Sequence, residues 1–194
     1  MSSERDRPDW DRLFETAVGQ EGHFTTAQAA EAGYSPQLLN RHLRSGTIRR
    51  VRRGIYRVVH FPTGEQEDLV ELWLWSDRTG VLSHETALAL HDLSDLLPAR
   101  VHLTLPAAWR TRRLRMPDGA ALHFADVAET ERSWVGAVPV TTPLRTIVDC
   151  ARDDLSPDLL RQAVEQALAR GLVSRESLLD AAASAPALAG VLAS

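Results

Sequence analysis

The stretch Ser35–Val59 reads SPQLLNRHLRSGTIRRVRRGIYRVV, and it decides the fold of the N-terminal part of the chain. Ser35 is a favourable helix N-cap, and Pro36 loses no hydrogen bond there because the first helical N–H groups have no partner. Leucines then recur at helical spacing until Gly46, which ends the helix. Two β-rich runs follow and meet at Gly54, a residue that favours a tight turn. The stretch therefore predicts a helix followed by a β-hairpin.

The two faces of this predicted helix differ in chemistry. At roughly 100° per residue, one side carries Leu38, Leu39, His42 and Leu43. The other side carries Gln37, Asn40, Arg41 and Arg44. Amide and guanidinium groups are the side chains that hydrogen-bond adenine and guanine edges in the major groove. We therefore interpret this helix as a DNA recognition helix.

Two further helices are predicted before Ser35. The first carries apolar residues at helical spacing and ends at Gly19; these are Trp10, Leu13, Phe14 and Ala17. Thr25 and Thr26 offer an N-cap for a short alanine-rich helix over 27–32, whose small side chains allow a neighbouring helix to approach. Together with the hairpin, these elements predict a winged helix-turn-helix over residues 1–61.

Charge is distributed unevenly along the chain. The net charge of −4 comes from 22 basic and 26 acidic residues, and every basic residue is arginine. Residues 1–60 hold ten arginines and seven acids, whereas residues 61–194 hold twelve arginines and nineteen acids. Between Ser35 and His60 there are seven arginines and no acid. Such a basic patch is typical of surfaces that follow phosphates, so we expect double-stranded DNA as a partner.

The predicted DNA contacts come from the two helix caps, the outer face of the recognition helix and the wing. They are Thr25, Thr26, Ser35, Gln37, Asn40, Arg41, Arg44, Arg49, Arg50, Arg52, Arg53 and Tyr56. Arg52 and Arg53 are placed at the tip of the wing, where a hairpin reaches the DNA backbone or minor groove.

The helical and strand patterns are interrupted over 61–64, which predicts a domain boundary there. The following domain, 62–194, is predicted to be mixed α+β, so the fold class of the chain is α+β. Helices are predicted over 65–77, 84–91, 142–151, 157–170 and 174–183, and strands over 101–105, 121–124 and 137–140. The tail over 181–194 is expected to dock weakly or fray.

The residue content argues against an enzyme. Without lysine, the sequence lacks the amine of P-loop and Schiff-base sites and of common metal-dependent nuclease sites. His84 and His91, with the neighbouring acids Glu85 and Asp92, suggest a metal site. However, seven residues of helix separate the two histidines by about 10 Å, too far to share one ion. We therefore predict no catalytic residue, no metal and no cofactor.

Several residues of the second domain are given structural interpretations. Ser83 and Glu85 are interpreted as a helix N-cap and a first-turn acid. His102 and His123 are expected to be half-buried imidazoles in strands, Cys150 a small buried hydrophobe, and Arg145 and Asp149 an ion pair along one helix.

Targeting signals are not evident in the sequence. No run of eighteen or more apolar residues occurs, and the opening residues 2–7 lack the apolar stretch of a secretory signal. We therefore expect a cytoplasmic protein without a membrane partner.

Residues 22–56 resemble the N-terminal winged helix of AbiEi-type antitoxins, which belong to type IV toxin–antitoxin systems. The residues that carry this likeness are 25–29, Gly33, Leu39, Gly46, Ile48, Arg50, Val51 and 53–56. Downstream, residues 83–88, 101–104, 140–149 and 166–168 also resemble the C-terminal part of that family, so the likeness covers most of residues 22–180.

This resemblance implies a transcriptional autoregulator that binds its own promoter and counters a nucleotidyltransferase-like toxin. The charge difference between the two halves, and the helix-cap signals that give each half its own core, then predict repression from 1–61 and toxin protection from 62–194, an antitoxin-like regulatory domain. Direct toxin contact, the operator sequence, and whether the chain acts as a homodimer or binds DNA cooperatively all stay open. Two alternatives are a ligand-responsive winged-helix transcription factor without a toxin and a DNA-targeted nuclease.

A second basic run stands in the otherwise acidic second domain. It consists of Arg110, Arg112, Arg113 and Arg115. It is interpreted as a solvated loop, as a second DNA contact, or as a docking surface for the toxin or its RNA substrate, and the sequence does not decide among these.

Overall fold

A computed structural model describes residues 7–193. Residues 2–6, part of the opening predicted not to be a secretory signal, lie outside the described residues. The chain contains helices and two sheets, which confirms the α+β class. Its contacts define two compact units, one reaching Arg78 and including Gly136–Val138, the other formed by Thr79–Val135 and the residues from Pro139 onward.

The first unit contains four helices and three strands among the described residues. They are α1 (Trp10–Val18), β1 (His23–Thr25), α2 (Thr26–Glu31), α3 (Pro36–Arg44), β2 (Ile48–Arg52), β3 (Ile55–Val58) and α4 (Glu67–Trp75). The antiparallel sheet has the order β1-β3-β2. Helices α2 and α3 form the helix-turn-helix, and β2 and β3 form the wing. The helix and hairpin predicted from Ser35–Val59 are therefore confirmed, whereas β1 was not predicted.

The core of the first unit lies between these helices and the sheet. Leu13 and Ala17 of α1, Phe24 of β1 and Leu39 of α3 are buried together. The ring of Phe24 stacks on Tyr56 of β3, with ring centroids 5.7 Å apart. Helix α3 thus turns its leucine side to the core, as its periodicity predicted.

A buried arginine ties α4 to the wing. Arg57 in β3 is only 4% exposed. Its guanidinium donates to the carbonyl oxygens of Val58, Phe61 and Pro62 at 3.0–3.1 Å and to the carboxylate of Glu67 at 2.5 Å. These bonds hold the 61–64 turn and the start of α4 against the sheet. The first unit consequently extends beyond the boundary predicted at residue 61.

The second unit combines a five-stranded mixed sheet with a group of helices. The strands are β4 (Val81–Leu82), β5 (Val101–Leu105), β6 (Ala120–Phe124), β7 (Arg132–Val135) and β8 (Val138–Thr141); the helices are α5 (His84–Leu90), α6 (Pro143–Arg152), α7 (Pro157–Ala169), α8 (Arg175–Ala182) and α9 (Pro186–Leu192). The strand order is β6-β5-β4-β8-β7. Strand β5 pairs parallel to β6, and β4 pairs antiparallel to β5 and parallel to β8. Short 3-10 turns cover Ala107–Thr111 and Glu129–Glu131.

The helical core of the second unit includes the end of the chain. Ile147 and Cys150 of α6 pack with Leu160 of α7, and Ala185 and Leu188 are fully buried in the same cluster. The expectation that 181–194 docks weakly or frays is therefore wrong for its described part. Pro186 starts α9, and Leu188 inserts its side chain among α6 and α7, so apolar burial holds this segment.

Within residues 7–193, no helix is both long and apolar enough to cross a bilayer.

Replacing Glu67 by alanine should destabilise the first unit by about 3 kcal/mol, because a buried guanidinium loses its carboxylate. Although burial raises the pKa of Glu67, the hydrogen bond and charge of Arg57 hold it below its ordinary 4.5. The carboxylate thus stabilises the fold above that pH and loses this effect as the pH falls through its lowered pKa.

Urea unfolding of the parent and of Glu67→Ala at neutral pH and near pH 3 measures this difference. The difference in unfolding free energy between the two proteins should be smaller near pH 3 than at neutral pH. Glu65→Ala, an exposed glutamate just before α4, is the matched control. Equal stability of Glu67→Ala and Glu65→Ala at neutral pH would show that the ion pair contributes nothing.

Candidate nucleic-acid interface

The outer face of α3 presents amide and guanidinium groups to solvent. Gln37, Asn40, Arg41 and Arg44 are all exposed. Among the described residues, neither Arg41 nor Arg44 has a carboxylate within ion-pair distance. Ser35 caps the helix through its Oγ, which accepts a hydrogen bond from the Leu38 backbone N–H at 3.3 Å. The face predicted to read base edges is therefore available for hydrogen bonding.

The two threonines in the predicted DNA-contacting set hold the helix-turn-helix together. Thr25 forms a capping box with Gln28: Thr25 Oγ1 accepts from the Gln28 N–H at 3.2 Å, and Gln28 Oε1 accepts from the Thr25 N–H at 2.9 Å. Gln28 also donates to Gln20 Oε1 at 2.8 Å. Thr26 donates from its N–H and its hydroxyl to the Gly54 carbonyl oxygen. These bonds fix α2 against the wing, and Thr26 remains exposed.

The wing carries its basic groups at different depths. Arg49, Arg50 and Arg53 are exposed, and Gly54 completes the turn with a φ of +77°. Arg50 donates to the Tyr56 hydroxyl at 3.3 Å and lies over the Tyr56 ring. Tyr56 itself is only 5% exposed. Tyr56 therefore belongs to the core, and its hydrogen-bond partner Arg50 is the exposed member of the pair.

Helix α4 places two carboxylates beside the wing. Arg52 Nε donates to Glu71 Oε2 at 3.1 Å, and Arg49 lies 4.0 Å from Glu67. Buried His23 also faces Glu71, with Nε2 3.6 Å from Oε1, and burial lowers the pKa of His23. Arg52 is thus partly engaged by the protein itself. Sequence reasoning missed this pairing, although Glu67 and Glu71 stand one helical turn apart.

The second basic run begins within the 3-10 turn Ala107–Thr111 of the second unit, and all four of its arginines are exposed. Arg110 donates to the Phe124 carbonyl oxygen at 3.1 Å. The Arg112 guanidinium lies over the Trp109 ring, 4.2 Å from its centroid. Arg113 and Arg115 extend the run beyond these contacts. The three interpretations of this loop all remain predictions.

The predicted pair on α6 is confirmed as part of a network. Arg145 Nε donates to Asp149 Oδ1, and Arg145 Nη1 donates to Glu131 Oε2, both at 2.8 Å. Burial raises the pKa of Asp149 despite the nearby guanidinium. The neighbouring Cys150 is buried, and burial raises the pKa of its thiol, so it is the small core residue that the sequence predicted.

Three histidines that sequence reasoning treated separately meet in the second unit. His84 starts α5, His102 lies in β5 and His123 lies in β6, and one ring nitrogen from each lies within 4.8 Å of the others. The rings of His84 and His123 stack with centroids 3.6 Å apart, and His102 Nδ1 is 3.1 Å from His123 Nε2. His91 lies elsewhere, with its Nε2 2.8 Å from the Thr141 carbonyl oxygen.

Burial sets the protonation of this histidine cluster. It lowers the pKa of all three imidazoles, and for His84 burial together with the other two rings lowers it to about 3. His84 also has a φ of +52°, a left-handed conformation that is unfavourable for a residue with a β-carbon. Ser83, predicted as an N-cap, makes no side-chain cap bond. Its Oγ instead lies 2.9 Å from His84 Nδ1 and 2.7 Å from Thr104 Oγ1.

A cleft of about 500 Å³ opens beside the cluster. His84, His123 and Asp153 line it together with the guanidinium groups of Arg110 and Arg145. The cleft thus joins neutral imidazoles, carboxylates and arginines within the second unit.

The helix-turn-helix with its wing gives the first unit the architecture of a winged helix. A family model described as "Transcriptional regulator, AbiEi antitoxin" matches residues 11–59, from α1 to the end of the wing. The resemblance to this family is therefore confirmed for that segment, and it supports a role in transcription regulation.

One solved structure similar to the chain is that of the RV2827C protein from Mycobacterium tuberculosis. The two sequences are 18% identical, the match covers 98% of this chain and 83% of that chain, and the TM-score is 0.45. No curated protein matches the chain.

Wing variants should differ in the salt dependence of DNA binding. Arg53→Ala should lower the magnitude of the slope of log K against log salt by about 1, because one phosphate contact is lost. Arg52→Ala should change it less, since Glu71 already engages Arg52. Glu71→Gln frees Arg52 and should raise the magnitude by up to about 1.

Fluorescence anisotropy with a labelled duplex across a salt series measures these slopes. Arg12→Ala, an exposed arginine of α1, is the control. An equal effect of Arg52→Ala and Arg53→Ala, with Glu71→Gln unchanged, would contradict a restraining role for Glu71.

Proposed function

We propose that the chain is a transcription regulator that binds the promoter of its own operon through the first unit. The exposed outer face of α3 carries this proposal, because four adenine- and guanine-binding side chains lie on it with no internal ionic partner among the described residues. The wing adds arginines beside that face. The match of residues 11–59 to AbiEi antitoxin transcriptional regulators supports the same role.

The finer part of the proposal is that the chain is the antitoxin of a nucleotidyltransferase-like toxin. The family match supports it, and the acidic balance of residues 61–194 is suited to a basic, nucleic-acid-binding partner rather than to DNA. In this proposal the chain acts in the cytoplasm by binding its partners, and it catalyses no reaction.

The ligand-responsive alternative is favoured by one observation. The cleft in the second unit has a volume of about 500 Å³, within the range of small-molecule sites, and several polar groups converge on it. A regulator without a toxin would use such a cleft to sense a ligand. The identity of the neighbouring gene separates the two functions.

Alanine substitution of Arg41 or Arg44 should each weaken specific DNA binding by roughly 1–3 kcal/mol and relax sequence preference at one position. Gel shifts with the upstream region and a scrambled duplex measure both effects. Arg12→Ala is again the matched control. Parent-like binding by both variants would show that α3 does not read the DNA.

The two activities should separate in the full chain. The double variant Arg41→Ala/Arg44→Ala should lose repression of a promoter reporter yet still protect cells that express the neighbouring gene from a separate promoter. This follows because neither residue lies in the second unit. Loss of protection at parent-like protein levels would contradict this division of activities. If the neighbouring gene were not toxic, the antitoxin proposal would be overturned, whereas the DNA-binding proposal would be unaffected.

A further inference from the structure

The histidine cluster is the feature of the second unit that transcription regulation does not explain. It consists of His84, His102 and His123, which come from a helix start and two strands. Three imidazoles in contact gain little as a core, because each ring must satisfy two polar nitrogens. The arrangement instead resembles the donor set of a transition-metal site, for which neutral imidazole is the commonest ligand.

The spacing of the ring nitrogens fits a single ion. Two ligand nitrogens at about 2.1 Å from a tetrahedral zinc ion lie roughly 3.4 Å apart. His102 Nδ1 and His123 Nε2 are 3.1 Å apart, slightly less than this value. One ring nitrogen from each of the three histidines lies within 4.8 Å of the others, so the upper limit for the set is somewhat greater than this value. Because the rings of His84 and His123 stack in nearly parallel planes, at least one of the two must rotate about its side-chain bonds before all three nitrogens face one ion.

Carboxylates supply the negative charge that such an ion needs. Asp153 Oδ2 lies 3.7 Å from His84 Nε2, close enough to provide a fourth ligand beside that nitrogen, and 3.5 Å from His123 Nδ1, the ring nitrogen opposite the Nε2 that faces His102. Glu85 Oε2 lies 3.8 Å from His102 Nε2, where it can orient that ring through its outer nitrogen. The Ser83 hydroxyl stands in the same relation to His84 Nδ1, at 2.9 Å.

The site is also open to an ion from solvent. Asp153 has a side chain that is 54% exposed, and His84, His123 and Asp153 all line the 500 Å³ cleft. A cation can therefore enter without unfolding of the unit.

We propose that the second unit binds one divalent first-row transition-metal ion, with Zn²⁺ as the best match, through His84, His102, His123 and Asp153. This site is separate from the DNA-contacting residues, so it holds whether or not the proposed function does.

Zinc affinity is tested on the untagged full chain after chelator treatment, by competition with a chromophoric chelator. The parent should bind one equivalent of Zn²⁺. His102→Gln and His123→Gln should each weaken binding about 100-fold, because loss of an outer-sphere partner alone costs about 10–100-fold. His60→Gln, an exposed histidine of the first unit, should bind like the parent.

Two further measurements keep the test decisive if a histidine variant folds poorly. Asp153→Ala changes an exposed residue and should weaken zinc binding while circular dichroism stays parent-like. Co²⁺ added to the parent should give the visible bands of a tetrahedral nitrogen and oxygen ligand field, and Asp153→Ala should alter them. Absence of one-equivalent zinc binding by the parent, or equal weakening in His60→Gln, would overturn the proposal.

Discussion

The buried guanidinium of Arg57 is the constraint on which the first unit depends. A charge removed from water is tolerated only when it is paired and hydrogen-bonded. Arg57 meets this condition through Glu67 and three carbonyl oxygens contributed by the end of β3 and the turn after it. The wing strand can therefore be buried only when the turn and α4 are in place. Helix-turn-helix, wing and α4 should consequently fold as one cooperative unit.

The second unit neutralises its interior charge in two ways. Arg145 is held by carboxylates on either side, so the guanidinium stays charged and satisfied. Burial instead lowers the pKa of all three imidazoles, and the neighbouring imidazoles lower the pKa of His84 and His123 further. A guanidinium that is paired with carboxylates has no lone pair to offer a cation. A neutral imidazole keeps one lone pair on a ring nitrogen, and this lone pair can bind a cation. Arg145, His84 and His123 line the same cleft and differ in what they can bind.

Secondary structure set by neighbouring residues was predictable from the sequence. Contacts between residues that are distant in the sequence were not. The two faces of α3 follow from helical periodicity, and its cap follows from Ser35 and Pro36. Strands β1 and β4 are three and two residues long, so pairing with distant strands defines them rather than their own composition. The histidine cluster unites residues from three elements that only the sheet brings together. The DNA-contacting set itself stays a prediction, although the structure shows that Arg52 is engaged by Glu71 and Tyr56 by the core.

The pairing of Arg52 with Glu71 gives the wing an internal counterion. Under the proposed function, a duplex of any sequence must displace this carboxylate before it gains the arginine, so the attraction to random DNA should be weaker than the arginine count suggests. The base contacts proposed for α3 do not involve that exchange. A regulator built this way should leave non-target sites quickly during its search and dwell chiefly where base contacts are made, which favours rapid location of a single operator.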